Sequence, residues 1–224
     1  MARLMEQGLR QLTDLVMEMA RVSERSVRTA VEAYATGRAV DGEIFGWAEE
    51  LRLRKEEVGE LATELLARYQ PVASDLRFIR SAMEISYGFA RLGRYAYDIA
   101  MVLQMFGDLS RCDRSIVREV GNCATSMIRQ SIEAFAGRDA PKAATLPQLD
   151  DLVDSMYLSF VRSTLVAPQG DLRCSLATVL VLRYLERIAD HATSIGDATV
   201  YIVTGESPSR PHHRRDLPPV QSKG

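Results

Sequence analysis

Four acidic residues in the C-terminal half have a spacing that lets them act together: Asp150 and Asp154 stand four apart, as do Glu186 and Asp190. Residues four apart on a helix lie one turn apart on one face, so two neighbouring helices carrying such pairs converge four carboxylates on one patch. Like charges gathered this way repel one another and resist desolvation, and a multivalent cation is the usual remedy. A donor set made only of oxygens suits hard ions, which points to iron, manganese or magnesium rather than zinc. The competing reading of the same residues is a solvated face, or acids paired with Arg183 and Arg187 of their own segment.

Other candidates carry less. Asp151 follows Asp150 but points about 100° away on a helix, and His191 faces away from Asp190 for the same reason. His212 and His213, next to Arg214 and Arg215, read as part of a basic, flexible end. There is no nucleophile elbow, phosphate-cradling glycine loop, HExxH or kinase motif.

The chain has 224 residues, 46% hydrophobic and 26% charged, with 28 Lys+Arg against 30 Asp+Glu for a net charge of -2. That length supports one elongated core or two small ones. The near-neutral balance offers no electrostatic footprint for nucleic acid. Cys112, Cys123 and Cys174 are odd in number and lack CxxC spacing, so neither a disulfide framework nor a thiolate zinc site is expected, and a reducing cytoplasm fits best. The first residues mix Arg3, Glu6, Arg10 and Asp14 with apolar ones, and the run from Leu176 to Leu182 stops at Arg183, so no signal peptide or membrane insertion is expected.

Helices must position these groups. Leu9, Leu12, Val16, Met19, Ser23, Ser26, Ala30 and Ala33 alternate in steps of three and four, one stripe of a long helix that Gly37 ends. A second helix starts near Asp41, an N-cap type of residue, and stops at Pro71. A third, capped by Ser74 or Asp75, carries Met83, Tyr87, Ala90, Arg94, Tyr97 and Met101 on one face and runs to Gly107. The pattern then restarts over about 110–137, 147–167 and 171–204, and no stretch alternates as a strand would.

The restart is a repeat. Asp75-Leu76-Arg77 recurs as Asp171-Leu172-Arg173, an offset of 96 residues (171 minus 75), and the same offset pairs Ile85 with Val181, Arg91 with Arg187 and Ala96 with Ala192. The fold class is therefore all-α, two similar three-helix bundles in tandem over 1–108 and 109–205. Residues 206–224, rich in Pro, Ser and Arg, have no periodic apolar face and read as a disordered tail.

The stretch from Arg68 to Arg77 (RYQPVASDLR), together with Leu185 to Ala192 (LERIADHA), resembles the PhoU family of phosphate-uptake regulators, over about residues 5 to 205. The resemblance implies antiparallel bundles related by an internal pseudo-twofold, with acidic motifs that hold metal clusters. Carried over, those motifs fall on Asp150, Asp154, Glu186 and Asp190 in the second bundle. In the first they fall on Ala48, Arg52, Ala90 and Arg94, so the acids are lost there and metal is expected in the second bundle only. Arg52 and Arg94 form either an anion site, since guanidinium forks match oxyanions, or ion pairs with Glu49 and Asp98.

The resemblance further implies a cytoplasmic adaptor without catalysis. It would repress phosphate transport and starvation signalling by linking a phosphate ABC transporter ATPase to a sensor histidine kinase and response regulator, and would form a homodimer. Two other readings stay open. One is a metal-free or repurposed helical scaffold; the other is a carboxylate-bridged metal enzyme, disfavoured because such sites use Glu-x-x-His pairs and Ala189 stands three residues after Glu186.

Overall fold

The first helix, α1 (Ala2–Thr36), is continuous for 35 residues because its stripe never breaks step, and Leu12, Val16, Met19, Ser23, Ser26, Ala30 and Ala33 are all buried. Gly37 ends it with φ at 79°, its N–H donating to the Ala33 carbonyl at 2.7 Å. There follow α2 (Asp41–Tyr69), α3 (Ala73–Phe106), α4 (Ser115–Gly137), the single turn α5 (Ala140–Ala143), α6 (Leu146–Val166) and α7 (Leu172–Thr204). This computed structural model describes residues 2–166 and 171–208, among which no strand occurs. His212 and His213, and all of the proposed tail beyond 208, lie outside the described residues.

Several local expectations need correction. The fourth helix begins at Ser115, not near Ser110, because aspartates claim the backbone first: Asp108 Oδ1 accepts from Ser110 N at 2.8 Å and Asp113 Oδ1 from Ser115 N at 2.9 Å. Residues 107–114 therefore form a linker. The turn α5 was not foreseen; Asp139 caps it by accepting from Lys142 N, with Pro141 in the first turn. Asp41, Ser74 and Asp75 lie inside first turns rather than at N-caps, which are Val40 and Val72 without a side-chain bond. Asp171 does cap α7, accepting from Arg173 N. On α3 the face of Met83, Tyr87 and Arg94 points outward, while Ile85, Phe89, Leu92, Ala96 and Ile99 are buried.

In the first bundle α1, α2 and α3 pack on one another; in the second, α4, α6 and α7 do, with α5 braced against α7. The bundles meet through α3 against α7 and α1 against α4. Along the α3–α7 contact Arg80 lies over the Tyr201 ring at 5.1 Å, Tyr87 meets His191 at 5.9 Å and Tyr95 meets Tyr184 at 6.2 Å, so these helices run antiparallel. Tyr95 and His191 are equivalent under the 96-residue offset, and their rings touch each other at 5.8 Å, which places the local twofold between them. Buried apolar side chains of both bundles form one continuous cluster.

Cys112 and Cys174 are joined in a disulfide, with Cα atoms 5.4 Å apart. No bridge was expected from their number and spacing. The fold makes it by laying the 107–114 linker over the start of α7, where Arg173 donates to the Asp108 carbonyl at 3.2 Å. No helix among the described residues is long and apolar enough to cross a membrane.

Close helix approach yields a paired test. A Cβ on Gly196 would stand 3.2 Å from the Ala143 backbone oxygen and collide with Leu146, whereas one on Gly46 meets nothing within 4 Å. Gly196→Val should cost about 2 kcal/mol or more. Gly46→Ala should add about 0.5–1 kcal/mol, because it removes backbone freedom from an exposed helix interior. Urea midpoints would measure both, and the same sign for the two would contradict the packing described.

Candidate functional site

Two places gather chemistry: the facing sides of α6 and α7, and the seam between α3 and α7. On α7 the heptad-like spacing puts Glu186 inward, fully buried at 0% exposure, with Asp190 half-buried one turn on. On α6 Val153 enters the core, which leaves Asp150 and Asp154 half-buried at its edge. Gly196 packs against Leu146 at the start of α6, and an antiparallel register through that contact directs Asp150 and Asp154 toward the part of α7 that carries Glu186 and Asp190. All four acids thus lie on facing stretches of two packed helices.

A buried carboxylate needs a counter-charge, and α7 supplies its own. Arg183 donates to Glu186 Oε2 at 2.7 Å, Arg187 to Asp190 Oδ2 at 3.2 Å, and the Arg187 guanidinium also stands 4.0 Å from Glu186. The pairing with Arg183 and Arg187, one of the two readings open from sequence, is thus present. Among the described residues no three His, Cys, Asp or Glu side chains are drawn together as a ready metal cage. Asp197, a heptad beyond Asp190 and half-buried on the same side, was missed; that heptad spacing was the available signal.

In the first bundle the corresponding stretches of α2 and α3 are locked by Ala48 against Gly93. Arg52 Nε donates to Glu49 Oε2 at 3.0 Å, and Arg94 Nε stands 3.2 and 3.4 Å from the two oxygens of Asp98 while its guanidinium lies 5.7 Å from the Tyr97 ring. Both guanidiniums are engaged within their own helices, at the spacings of three and four that the ion-pair reading required.

The seam carries a polar-aromatic cluster that periodicity alone does not reveal. His191 is enclosed by Tyr87 and Tyr95, and Arg91 lies 4.7 Å over the Tyr95 ring and donates to its hydroxyl. Burial, reinforced by the Arg91 charge against the opposing pull of Asp190, holds the His191 imidazole down at about 4. Burial also raises the Tyr184 hydroxyl. At neutral pH the seam therefore holds a neutral imidazole among phenols, with the Arg91 guanidinium as the charged group beside it.

Two outcomes follow. The unfolded imidazole titrates near 6.5 and the folded one near 4, so the unfolded chain binds more protons between those values. Stability that is complete above pH 6.5 is thus lost as pH falls toward 4. His191→Gln should flatten that slope in urea melts, and an unchanged slope would acquit His191. Separately, Arg183→Ala should cost about 2–3 kcal/mol by removing the nearer of the two guanidiniums that balance the buried Glu186 carboxylate, and adding Glu186→Gln should recover most of it. A double variant no more stable than the single would contradict the pairing.

The family model described as PhoU domain matches residues 16–103 and again residues 117–199. The phosphate-specific transport system accessory protein PhoU homolog of Clostridium acetobutylicum is 29% identical over 212 residues, covering 91% of this chain and 96% of its own length. The homolog of Caulobacter vibrioides, strain NA1000, is 31% identical over 206 residues, covering 88% of this chain and 89% of its own. Among solved structures, PhoU from Pseudomonas aeruginosa superposes with a TM-score of 0.83 at 27% identity, over 90% of this chain and 99% of that one. The phosphate transport system regulatory protein PhoU from Streptococcus pneumoniae gives 0.84 at 21% identity, over 92% and 100%, a likeness of fold. With both repeats matched in tandem and the matched regions spanning nearly all of the described helices, the chain belongs to the PhoU family.

Proposed function

We propose that this protein is an accessory regulator of phosphate uptake that works by docking, without catalysis. The observation that carries the reading is the match of both repeats, across most of the chain, to proteins named as phosphate-specific transport system accessory proteins. The physical arrangement agrees with it: long helices present extended faces to partner helices, and the polar clusters are spent on ion pairs and packing rather than on a reactive group. The partners in this reading are the ATPase of a phosphate ABC transporter and a sensor histidine kinase or its response regulator. The protein acts in the cytoplasm as a homodimer and holds transport and starvation signalling down.

Metal enters this reading in the second bundle only. Asp150, Asp154, Glu186 and Asp190 offer an oxygen-only set that suits iron, manganese or magnesium in donor type. Arg183 and Arg187 occupy the same carboxylates and are the cations that a metal would displace. Bound there, a metal would neutralise the gathered carboxylates and offer a remaining coordination position to an oxygen donor of a partner. In the first bundle Arg52 and Arg94, already paired with Glu49 and Asp98, oppose a cation.

The test is affinity capture of the tagged protein from its own cells grown in ample phosphate, beside an Asp154→Ala/Asp190→Ala variant. The transporter ATPase or sensor kinase in the eluate, and its loss from the variant, are the expected results. Absence of both under gentle, low-salt conditions would overturn the docking reading. Metal analysis of the purified protein should find iron, manganese or magnesium in the parent and less in the variant; equal content would remove these acids from the reading.

A further inference from the structure

Cys112 and Cys174 join parts of the chain 62 residues apart, so the bond closes a ring containing all of α4, α5 and α6. Neither residue is buried, and both line a cavity of about 640 Å³ set between the linker, the end of α6 and the start of α7. Ser163, Thr164 and Ser175 line the same cavity. A solvent-open space of that size beside a part-exposed disulfide has room for a small molecule next to the bridge. We propose that this disulfide is a reversible modification site for a low-molecular-weight thiol.

The two sulfurs are not equivalent. Cys174 is the third residue of α7, within the first turn where backbone N–H groups have no helical partners, while Cys112 sits in the irregular linker. The N–H groups of that first turn stabilise negative charge developing on a departing sulfur, which favours Cys174 over Cys112 as the leaving group. The incoming thiolate therefore forms its bond to Cys112 Sγ as the Cys112–Cys174 bond breaks, and the electron pair departs on Cys174 Sγ, which is later protonated from solvent. The product is a mixed disulfide on Cys112 and a free thiol on Cys174. A second thiolate then attacks the small-molecule sulfur, releasing the small-molecule disulfide and leaving both cysteines reduced, so two thiols are oxidised as one protein disulfide is reduced.

The surroundings let the exchange proceed without unfolding. The linker keeps other holds when the bridge opens: Arg114 donates to the Leu109 carbonyl at 3.1 Å and to the Tyr34 carbonyl at 2.9 Å, and Arg173 holds the Asp108 carbonyl. Where disulfides occur in reducing compartments they are usually of this labile kind. Cys123, the remaining cysteine, is half-buried with its thiol pushed up by burial, so it does not compete.

The full-length protein, carrying Cys123→Ala to keep the count clean, would be exposed to millimolar glutathione without denaturant. It would then be quenched in acid, alkylated and mapped by peptide mass spectrometry. A glutathionyl group on Cys112, in roughly fivefold excess over Cys174, with the alkyl group on Cys174, is the expected early product. Longer exposure should leave both alkylated, and oxidised glutathione should restore the bridge. Helical circular dichroism should persist throughout, and Cys112→Ser/Cys174→Ser should keep the same fold and take no glutathionyl. A bridge that opens only in denaturant, or an adduct predominantly on Cys174, would overturn the proposal.

Discussion

The antiparallel packing of α3 against α7 is the contact on which the rest of the molecule depends. Each is the third helix of its bundle, and each is apolar or small on more than one side: Phe89, Leu92, Gly93 and Ala96 on α3, Leu185, Ile188, Ala189 and Ala192 on α7 are all buried. A helix buried from two directions cannot be satisfied by a single three-helix bundle, so either repeat alone would leave a wide apolar face in water. Gly88 lets the helices approach, since a Cβ there would fall 2.9 Å from Ile195 Cγ1. The outcome is two repeats with one core, held about a twofold that passes between Tyr95 and His191.

That symmetry is broken by charge, and the break is where function is to be sought. Ala90 and Arg94 on α3 stand where α7 carries Glu186 and Asp190. In the second bundle a fully buried carboxylate is neutralised by arginines one turn away, whereas in the first the equivalent stretch is alanine with surface ion pairs. The same backbone thus presents an acidic, internally balanced face on one repeat and an inert one on the other. Such an asymmetry distinguishes the two repeats to anything that contacts them, because electrostatic complementarity selects partners more than it adds raw affinity.

The linker shows how connection and core constrain each other. It joins α3 to α4, and it is pinned to α7 by a disulfide and a guanidinium while Arg114 reaches back to the end of α1. These bonds restrict the relative movement of the bundles at the place where the chain crosses between them.

By itself the sequence determined the six long helices, though not the start of α4 or the single turn α5, the repeat, and the pairing of acids within each helix. These are properties of spacing: the α1 stripe, the glycine stops at Gly37 and Gly107 with positive φ, and the 96-residue echo of Asp75-Leu76-Arg77 need no knowledge of what lies across the fold. Partners along one helix were legible for the same reason, as with Arg52–Glu49 and Arg187–Asp190. Only the tertiary structure decided which face of α3 is outer, that His191 is enclosed by tyrosines from the other repeat, and that Cys112 meets Cys174. Those facts depend on which residues distant in the chain become neighbours, and that is set by the register and crossing of packed helices, which local periodicity does not encode.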